Sequence, residues 1–212
     1  DEKKKIMFYK NAWLKIYDKP VLYFPAFFHP DPTVKRQSGF LIPSFTSSKS
    51  LGNSFNIPYF KVISDNKDLT LKPRLFTNNK LLAQTEYRQI GKDYNHEMDF
   101  GTLVDNDTSN KSHFFSKTSK NFENSLGLFE ESDVTLDIQQ VSNDSFLKSY
   151  KLNSPLITNN NLLTSSINFN GYNDDLLFNT EFTVYENLSE NDNDRYEYIL
   201  PSYNLSKQLA SK

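Results

Sequence analysis

The stretch from His29 to Phe45, "HPDPTVKRQSGFLIPSF", sets three prolines and a Lys-Arg pair around a short apolar run. A second apolar run with a proline inside it, "SFNIPYF", follows at Ser54 to Phe60. Both runs have the composition of strands, yet a proline within a strand has no N–H to donate to its neighbour. The two stretches therefore predict successive strands whose pairing is weakened at Pro43 and Pro58, unless the prolines only mark strand ends or bulges.

The composition of the 212-residue chain limits the class of protein. Lys and Arg total 24 against 26 for Asp and Glu, a net charge of -2, so we expect no nucleic-acid partner. The chain contains no cysteine, which excludes a disulfide scaffold and thiolate zinc sites. Its 18 Phe and 12 Tyr are many for a mean hydropathy of -0.64. Both β-proteins with one apolar face and transmembrane barrels have this mixture.

Hydrophobic residues recur mostly with a period of two, which predicts strands, and turn-forming residues separate the runs. Short connections between successive strands predict an all-β antiparallel meander of hairpins. The chain opens with strand-like residues 5–17 and a proline-broken run, 19–32, that suits only an edge strand or an extended crossing. The strands predicted after this boundary span residues 38–46, 54–63, 68–76, 81–90, 94–104, 113–122, 134–141, 162–172, 176–186 and 196–203.

Alternation within these runs separates two faces on each predicted strand. Phe178 and Phe182 share the apolar face of one run, whereas residues 81–90 confine charge to the face of Glu86 and Arg88. A soluble sandwich core and a lipid-facing barrel wall both give strands with one apolar face. Periodicity alone leaves these two alternatives open.

One segment departs from the meander. Residues 142–152 begin with cap-forming Ser and Asp side chains and place Phe146 and Tyr150 four positions apart. This spacing predicts one or two helical turns within a surface loop.

Few residues indicate catalysis, metal binding or a cofactor. The chain has six glycines and no glycine-rich phosphate loop, so nucleotide binding has no support, and we expect no cofactor and no metal site. The histidines lack ligand-like spacing and are expected at the surface or in loops: His29, His96 and His113.

Six short elements follow one another between Pro20 and Arg88: "PVLYFP", "HPDP", "RQSGFLIP", "PYF", "DLTLKP" and "EYR". In this order and spacing they resemble the LptD family, also called OstA or organic solvent tolerance protein. The resemblance is strongest from about Val21 to Arg88. Weaker similarity continues through "SNDSFLKSY", "LLTSSINFNGY" and "YILPSYNLSK", so we expect the chain to be an internal part of a longer protein.

The resemblance implies two parts, a periplasmic β-jelly roll and a large transmembrane β-barrel in the outer membrane of Gram-negative bacteria. On this interpretation residues 1–32 are the last jelly-roll strands and residues 33–212 form the N-terminal part of the barrel. The family handles lipopolysaccharide, which arrives from a periplasmic bridge protein of jelly-roll fold (LptA type). A lipoprotein of the LptE type plugs the barrel. The cysteines that tie the two parts together in several members are absent here.

The implied function is lipopolysaccharide transport and assembly, without turnover chemistry, through a lateral gate into the outer-leaflet lipid. The gate is implied to open between the first and last barrel strands, loosened by Pro43 and Pro58. Lys35 and Arg36 are candidates for contact with lipid A phosphates, because a guanidinium binds phosphate bidentately. Candidates for a groove that holds acyl chains are Phe8, Trp13, Leu14 and Ile16.

Two other functions remain as alternatives. A soluble β-sandwich module that binds carbohydrate or lipid would cover its apolar strand faces with a second sheet. An outer-membrane enzyme would need acidic side chains that converge on one place inside the barrel. Neither alternative accounts for the strand prolines.

Overall fold

The computed structural model describes residues 6–16, 18–30, 36–49, 51–105, 110–125, 127–190 and 194–207. Over these ranges the chain forms strands in two sheets, with every neighbouring pair antiparallel, which confirms the predicted all-β antiparallel meander. The elements are β1 Ile6–Ile16, β2 Lys19–Pro30, β3 Gly39–Phe40, β4 Ser44–Ser48, β5 Gly52–Asn56, β6 Tyr59–Ser64, β7 Lys67–Phe76, β8 Leu81–Ile90, β9 Tyr94–Val104, β10 Lys111–Ser125, β11 Phe129–Val141, α1 Phe146–Ser149, β12 Leu162–Asn173, β13 Leu176–Asn187 and β14 Tyr196–Lys207.

The strands β1 and β2 form a two-stranded sheet of their own. Their register runs from Ile6 opposite Pro30 to Ile16 opposite Lys19. Because both strands of such a sheet are edges, the prolines of β2 lie where a missing donor is tolerated. The prediction of an edge strand over this run is therefore confirmed for residues 19–30.

The second sheet contains β3 to β14, and β7 to β14 are neighbours in chain order. The predicted strands 81–90 and 94–104 coincide with β8 and β9, whereas β10, β11 and β14 are longer than predicted. The sheet is open, and within the described residues its path ends at β4 on one side and at β14 on the other.

The two ends of this sheet differ in the length of their connections. At one end, two or three residues join β6 to β7, β8 to β9, β10 to β11 and β12 to β13. At the other end, the connections include residues 105–110, 142–161 and 188–195. We call these the short-turn end and the long-loop end. Alternate strands run in opposite directions, so all the long connections lie together.

Alternation gives the second sheet one polar and one apolar face. The cross-strand register places most charged side chains of β7 to β11 on one face, which we call the polar face, and confirms the confinement of charge predicted for residues 81–90. Lys67, Lys120 and Glu130 are the exceptions, on the opposite face. The opposite, apolar face carries hydrophobic side chains that stay largely exposed, among them Leu71, Phe100, Leu136 and Ile167.

The 142–161 connection covers part of the polar face. It contributes Phe146, Leu147, Tyr150 and Leu152 to one buried cluster with strand residues. The predicted helical turn is confirmed as α1, but the prediction of a surface loop was wrong, because the apolar side of the turn packs inward. No helix in the described ranges is long and apolar enough to cross a membrane. The strand members of the cluster include Phe76, Leu82, Leu103 and Phe115.

The histidines predicted at the surface or in loops lie inside strands. His113 on β10 is 2% exposed, and its Nε2 lies 3.1 Å from Asp99 Oδ1. His96 on β9 is half-buried, with Nδ1 2.8 Å from Thr118 Oγ1. The prediction was wrong for these two because each ring has a cross-strand partner, and such a partner is not visible in the local sequence. His29 lies in β2, and its side chain is outside the described part.

Gly101 generates a first prediction, because it lies directly opposite His113 and leaves room for the imidazole ring. A Cβ at position 101 would lie 2.3 Å from His113 Cε1 and 2.8 Å from Nδ1. We expect Gly101→Ala to push the ring away from Asp99 and to destabilise the full-length protein by about 1–3 kcal/mol, the usual cost of overpacking. The midpoint of heat unfolding, followed by the shift between folded and unfolded gel bands, measures the effect.

Gly39→Ala is the matched control, because nothing lies within 4 Å of a Cβ at that position. Equal unfolding midpoints for the two variants would contradict the packing argument.

Candidate functional site

The first hairpin of the second sheet is broken on both of its strands. Residues 41–43 separate β3 from β4, and Ile57 with Pro58 separates β5 from β6. The two gaps contain the prolines singled out from the sequence, Pro43 and Pro58. Pairing is interrupted at both prolines, and each directly precedes a strand, so the alternative that they mark strand ends or bulges fits as well. Their role in a gate stays a prediction.

The break takes a different form on each strand. Phe40 faces Tyr59 and Ser44 faces Asn56, so the first strand has one more residue across the break than the second. Such an extra residue is a β-bulge, which kinks a strand locally. The second strand keeps the same register with β7 above and below the break. The irregularity is therefore concentrated between the first two strands.

Two neighbouring strand interfaces lose a backbone donor at this level. The Leu41 N–H donates to Pro58 O at 2.9 Å, and Pro58 has no N–H with which to return the bond. The Ile57 N–H donates to Pro73 O at 3.3 Å, and Pro73 on β7 likewise has no N–H. The level at which backbone donors are missing thus extends from the first strand across the second to β7.

At the short-turn end of the sheet, a carboxylate and two arginines join the start of the first hairpin to β7 and β8. Asp68 on β7 is buried and accepts bonds from Arg88 on β8, with Nε 2.9 Å from Oδ1 and Nη2 3.3 Å from Oδ2. Arg36 pairs with the same carboxylate, and its Nη1 donates to Asp65 O at 2.5 Å. Because Arg36 precedes β3, the three side chains tie the start of the sheet to β7 and β8. We call Arg36, Asp68 and Arg88 the clamp.

The clamp continues into a row of alternating charge across the polar face. The register places Arg88 opposite Glu97, Glu97 opposite Lys117, and Lys117 opposite Asp137. Opposite charges on directly paired residues contribute about 0.2–1 kcal/mol per pair. A cavity of about 560 Å³ lies where this row meets the 142–161 connection, and its lining includes Glu97, Lys117, Asp137 and Pro155. The face at this level is suited to water and polar solutes.

The 142–161 connection is held to the polar face through its own carbonyl groups. Its acceptors are spaced three residues apart, and each lies under a different strand, so the segment is fixed along its length. The donors are polar side chains of the sheet: Arg74 to Tyr150 O at 2.8 Å, Gln84 to Asn153 O at 3.1 Å and Gln139 to Leu156 O at 3.1 Å.

An ion-pair group links this connection to the next long one. Arg195 donates from Nε to Glu186 Oε1 at 2.8 Å, and its Nη1 lies 2.7 Å from Asp144 Oδ1. Hydrogen bonds to Glu186 and Asp144 raise the pKa of the Arg195 guanidinium. The guanidinium therefore carries its charge over the ordinary pH range. In the described ranges no group of His, Asp and Glu side chains is placed to hold a metal ion.

The residues predicted for an acyl-chain groove share one strand. Those whose side chains are described, Phe8 and Trp13, are 57% and 55% exposed, and the Trp13 ring lies 4.7 Å from that of Tyr23. Nothing in the described residues tests whether they line a groove. The candidates that lie in β1 are Phe8, Trp13, Leu14 and Ile16, and the side chains of the last two are outside the described part, as is Lys35.

The exposure of the apolar face separates the alternatives that periodicity left open. Leu71, Phe100 and Ile167, on three different strands within the sheet, are 40%, 41% and 47% exposed. A sandwich would bury such side chains under a second sheet. A sheet with one polar face, one exposed apolar face and short turns at a single end has the pattern of a transmembrane β-barrel wall. By this pattern the sheet resembles the wall of a β-barrel more than one half of a sandwich.

The particular family follows from comparison with known proteins. A family model described as "LptD protein" matches residues 7–210. Since this match covers nearly all of the sequence, the chain belongs to the LptD protein family, as the order of its short motifs predicted.

Curated relatives of the chain carry the name "LPS-assembly protein LptD". The relative from Pseudoalteromonas translucida is 34% identical over 137 residues, 65% of this chain and 18% of that protein. The one from Pseudomonas fluorescens is 37% identical over 101 residues, 48% of this chain and 11% of that protein. The one from Legionella pneumophila strain Paris is 28% identical over 194 residues, 85% of this chain and 22% of that protein. The chain spans less than a quarter of the length of these relatives.

The sequence located part of the site and missed its partners. Pro43, Pro58 and Arg36 were singled out, but Asp68 and Pro73 were not. Both missed residues lie in the "DLTLKP" element. The alternation of residues along this strand would have placed Asp68 on the charged face. Their pairing with the first hairpin required the strand register, which the sequence alone does not give.

A second prediction concerns the attachment of the 142–161 connection. Phe146 is fully buried, and loss of a buried Phe ring in a core costs about 3–5 kcal/mol. We expect Phe146→Ala in the full-length protein to release the connection and to speed tryptic cleavage after Lys151. Limited proteolysis with mass spectrometry measures the rate.

Ser149→Ala, on the exposed side of the same helix, is the matched control. If the two variants are cleaved at the rate of the parent protein, the aromatic anchor does not hold the connection.

Proposed function

We propose that this chain is the junction of an outer-membrane lipopolysaccharide assembly protein, where the lipid passes from a periplasmic domain into a barrel. Residues 1–32 are assigned to the end of the jelly roll and residues 33–212 to the N-terminal barrel wall. The observation that carries the proposal is a two-faced sheet whose first two strands are both broken at prolines. The name of the relatives, "LPS-assembly protein LptD", supports the substrate.

The connections of the sheet support an orientation in the outer membrane. Barrels of this membrane have short periplasmic turns and longer extracellular loops. We therefore assign the short-turn end to the periplasm and the long-loop end to the cell exterior. Arg36 enters the sheet at the short-turn end, close to the turn at Asp65. This agrees with a periplasmic position for the β1–β2 hairpin.

The two faces supply different surroundings for the two parts of lipopolysaccharide. The apolar face would contact outer-membrane lipid, and the polar face would line the barrel, where the saccharide travels. A plug lipoprotein of the LptE type would occupy the barrel, and a periplasmic bridge protein of the LptA type would deliver the lipid to the jelly roll. The transport requires no bond to be made or broken, so we propose no enzymatic activity.

The clamp bears on the proposed contact with lipid A phosphates. Arg36 and Arg88 both contact Asp68, so their positive charge is partly neutralised. A phosphate would compete with this carboxylate for the guanidinium groups, since each binds oxyanions through the same N–H donors. We therefore propose a phosphate contact at Lys35 and Arg36 that is transient, as transport demands.

The alternatives are less well supported. A soluble sandwich module would not leave the central strands with exposed apolar side chains. For an enzyme, the register pairs the carboxylates of Glu86 and Asp99 directly, but Lys72 forms an ion pair with Glu86, and Gln84 donates to both oxygens of Asp99. In this arrangement neighbouring side chains neutralise the carboxylates, which favours a barrel lining over an active site.

A third prediction tests the gate. Pro43→Ala or Pro58→Ala restores a backbone donor to the broken level, so we expect either change in the full-length protein to slow delivery of lipopolysaccharide. The amount at the cell surface, measured against total lipopolysaccharide, gives the result. Pro201→Ala is the matched control, because Pro201 lies in β14 beside an irregular pairing with β13. Unchanged surface lipopolysaccharide in both gate variants would count against the gate.

A fourth prediction tests the acyl-chain groove. Neighbouring residues of a strand point to opposite faces, so only one of Phe8 and Tyr9 can face a groove on a given side of the hairpin. We expect a photo-reactive residue at position 8 of the full-length protein to crosslink to lipopolysaccharide, and the same residue at position 9 to crosslink weakly. Stronger capture at position 9 would place the groove on the other face.

A further inference from the structure

The proline break divides the first hairpin into two halves with different attachments. The turn half, residues 44–56, contains β4 and β5, which pair with each other along their whole length. The base half contains β3 and β6, which pair with each other only at Gly39 and Phe40. Against β7 the order is reversed, because β5 pairs over residues 54–56 and β6 pairs over 59–64. The turn half is thus coherent within itself and shares fewer ladder pairs with the third strand than the base half does.

The level between the two halves transmits little backbone bonding. Here Leu41 bonds to Pro58 and Ile57 bonds to Pro73, and neither proline returns a bond. A regular antiparallel ladder has two bonds at each such pair. A line through Leu41, Pro58 and Pro73 is therefore the place where the hairpin bends most easily.

The base half is fixed by side chains as well as by its pairing. The clamp joins Arg36 to β7 and β8 through the buried carboxylate of Asp68. Ser38 Oγ also accepts the N–H of Val62 at 2.8 Å, which ties the start of the first strand to β6. At the far end of the turn half, Asn53 of β5 contacts the turn that follows β7: the Thr77 N–H donates to Asn53 O at 2.9 Å, and the Asn53 N–H donates to Thr77 Oγ1 at 3.3 Å.

We propose that the turn half of the first hairpin swings away from β7 as a unit, hinged at the level of Pro73, while the clamp keeps the base half in place. The inference rests on the proposed function and adds to it a third hinge residue and a defined moving part. Pro73 is a positioning residue, which acts by leaving the second strand without a donor from β7. The opening then lies at the long-loop end, next to the outer leaflet.

Two matched disulfides test which half must move. Phe55 faces Leu75 in the turn half, and Lys61 faces Leu69 in the base half. Paired Cα atoms in an antiparallel ladder are about 4.5–5.5 Å apart, within the range that a disulfide spans. These 212 residues contain no other cysteine that could pair with the introduced ones. Each pair is introduced as a double Cys variant of the full-length protein in proteoliposomes.

We expect the disulfide between positions 55 and 75 to abolish transfer of lipopolysaccharide until a reductant is added. The disulfide between positions 61 and 69 should leave transfer at the level of the parent protein. Equal transfer by both oxidised variants, or equal loss in both, would overturn the assignment of the turn half as the moving part.

Backbone hydrogen exchange in the same full-length protein gives a readout that does not depend on transport. We expect the Phe55 amide to exchange faster than the Lys61 amide, and Pro73→Ala to slow exchange at Phe55. Equal protection at the two amides, with no effect of Pro73→Ala, would refute the hinge even if transport is intact. Faster exchange at Phe55 in a protein that transfers no lipopolysaccharide would uphold the hinge and refute the proposed function.

Discussion

Backbone hydrogen bonding between neighbouring strands is the constraint on which the second sheet depends. A wall in contact with hydrocarbon has no water to satisfy an unpaired N–H or C=O, so every donor needs a partner on the next strand. The strands from β7 to β13 meet this demand with long antiparallel ladders. Pro43, Pro58 and Pro73 relax it at one level of the first three strands. The loss of backbone bonding is therefore local, and its position is set by which residues lack an N–H.

The polar face meets a different demand, because charged and amide groups that leave water must find partners. Gln84 donates to both carboxylate oxygens of Asp99 and to Asn153 O, so one side chain serves the sheet and the 142–161 connection together. His113 approaches the same carboxylate from the next strand. The residues that make this face polar also hold the inserted segment in place. A change in the segment would consequently alter the polar face of the sheet.

Much of the fold could be predicted from the sequence, because a period of two and short polar turns are local signals. The ranges of β8 and β9 and the turn at Phe146 were predicted in this way. The direction in which Phe146 packs could not be predicted, since it depends on Phe76 and Phe115 from distant strands. For the site, the prolines were visible as violations of strand chemistry. The partners of Arg36 were not visible, because a pairing between residues 36 and 68 depends on the strand register.

The same register explains why the clamp and the broken level belong together. A hairpin that bends at one level needs a fixed part on one side of that level, or the whole hairpin would separate from the sheet. Arg36 provides this fixed part at the point where the chain enters the sheet, and Asp68 receives it on β7, the strand that also carries Pro73. One strand thus holds the base of the hairpin through a side chain, and at Pro73 it has no N–H to offer the upper half. Asp68 and Pro73 are five residues apart on β7, so the proposed opening is confined to the long-loop end of the sheet.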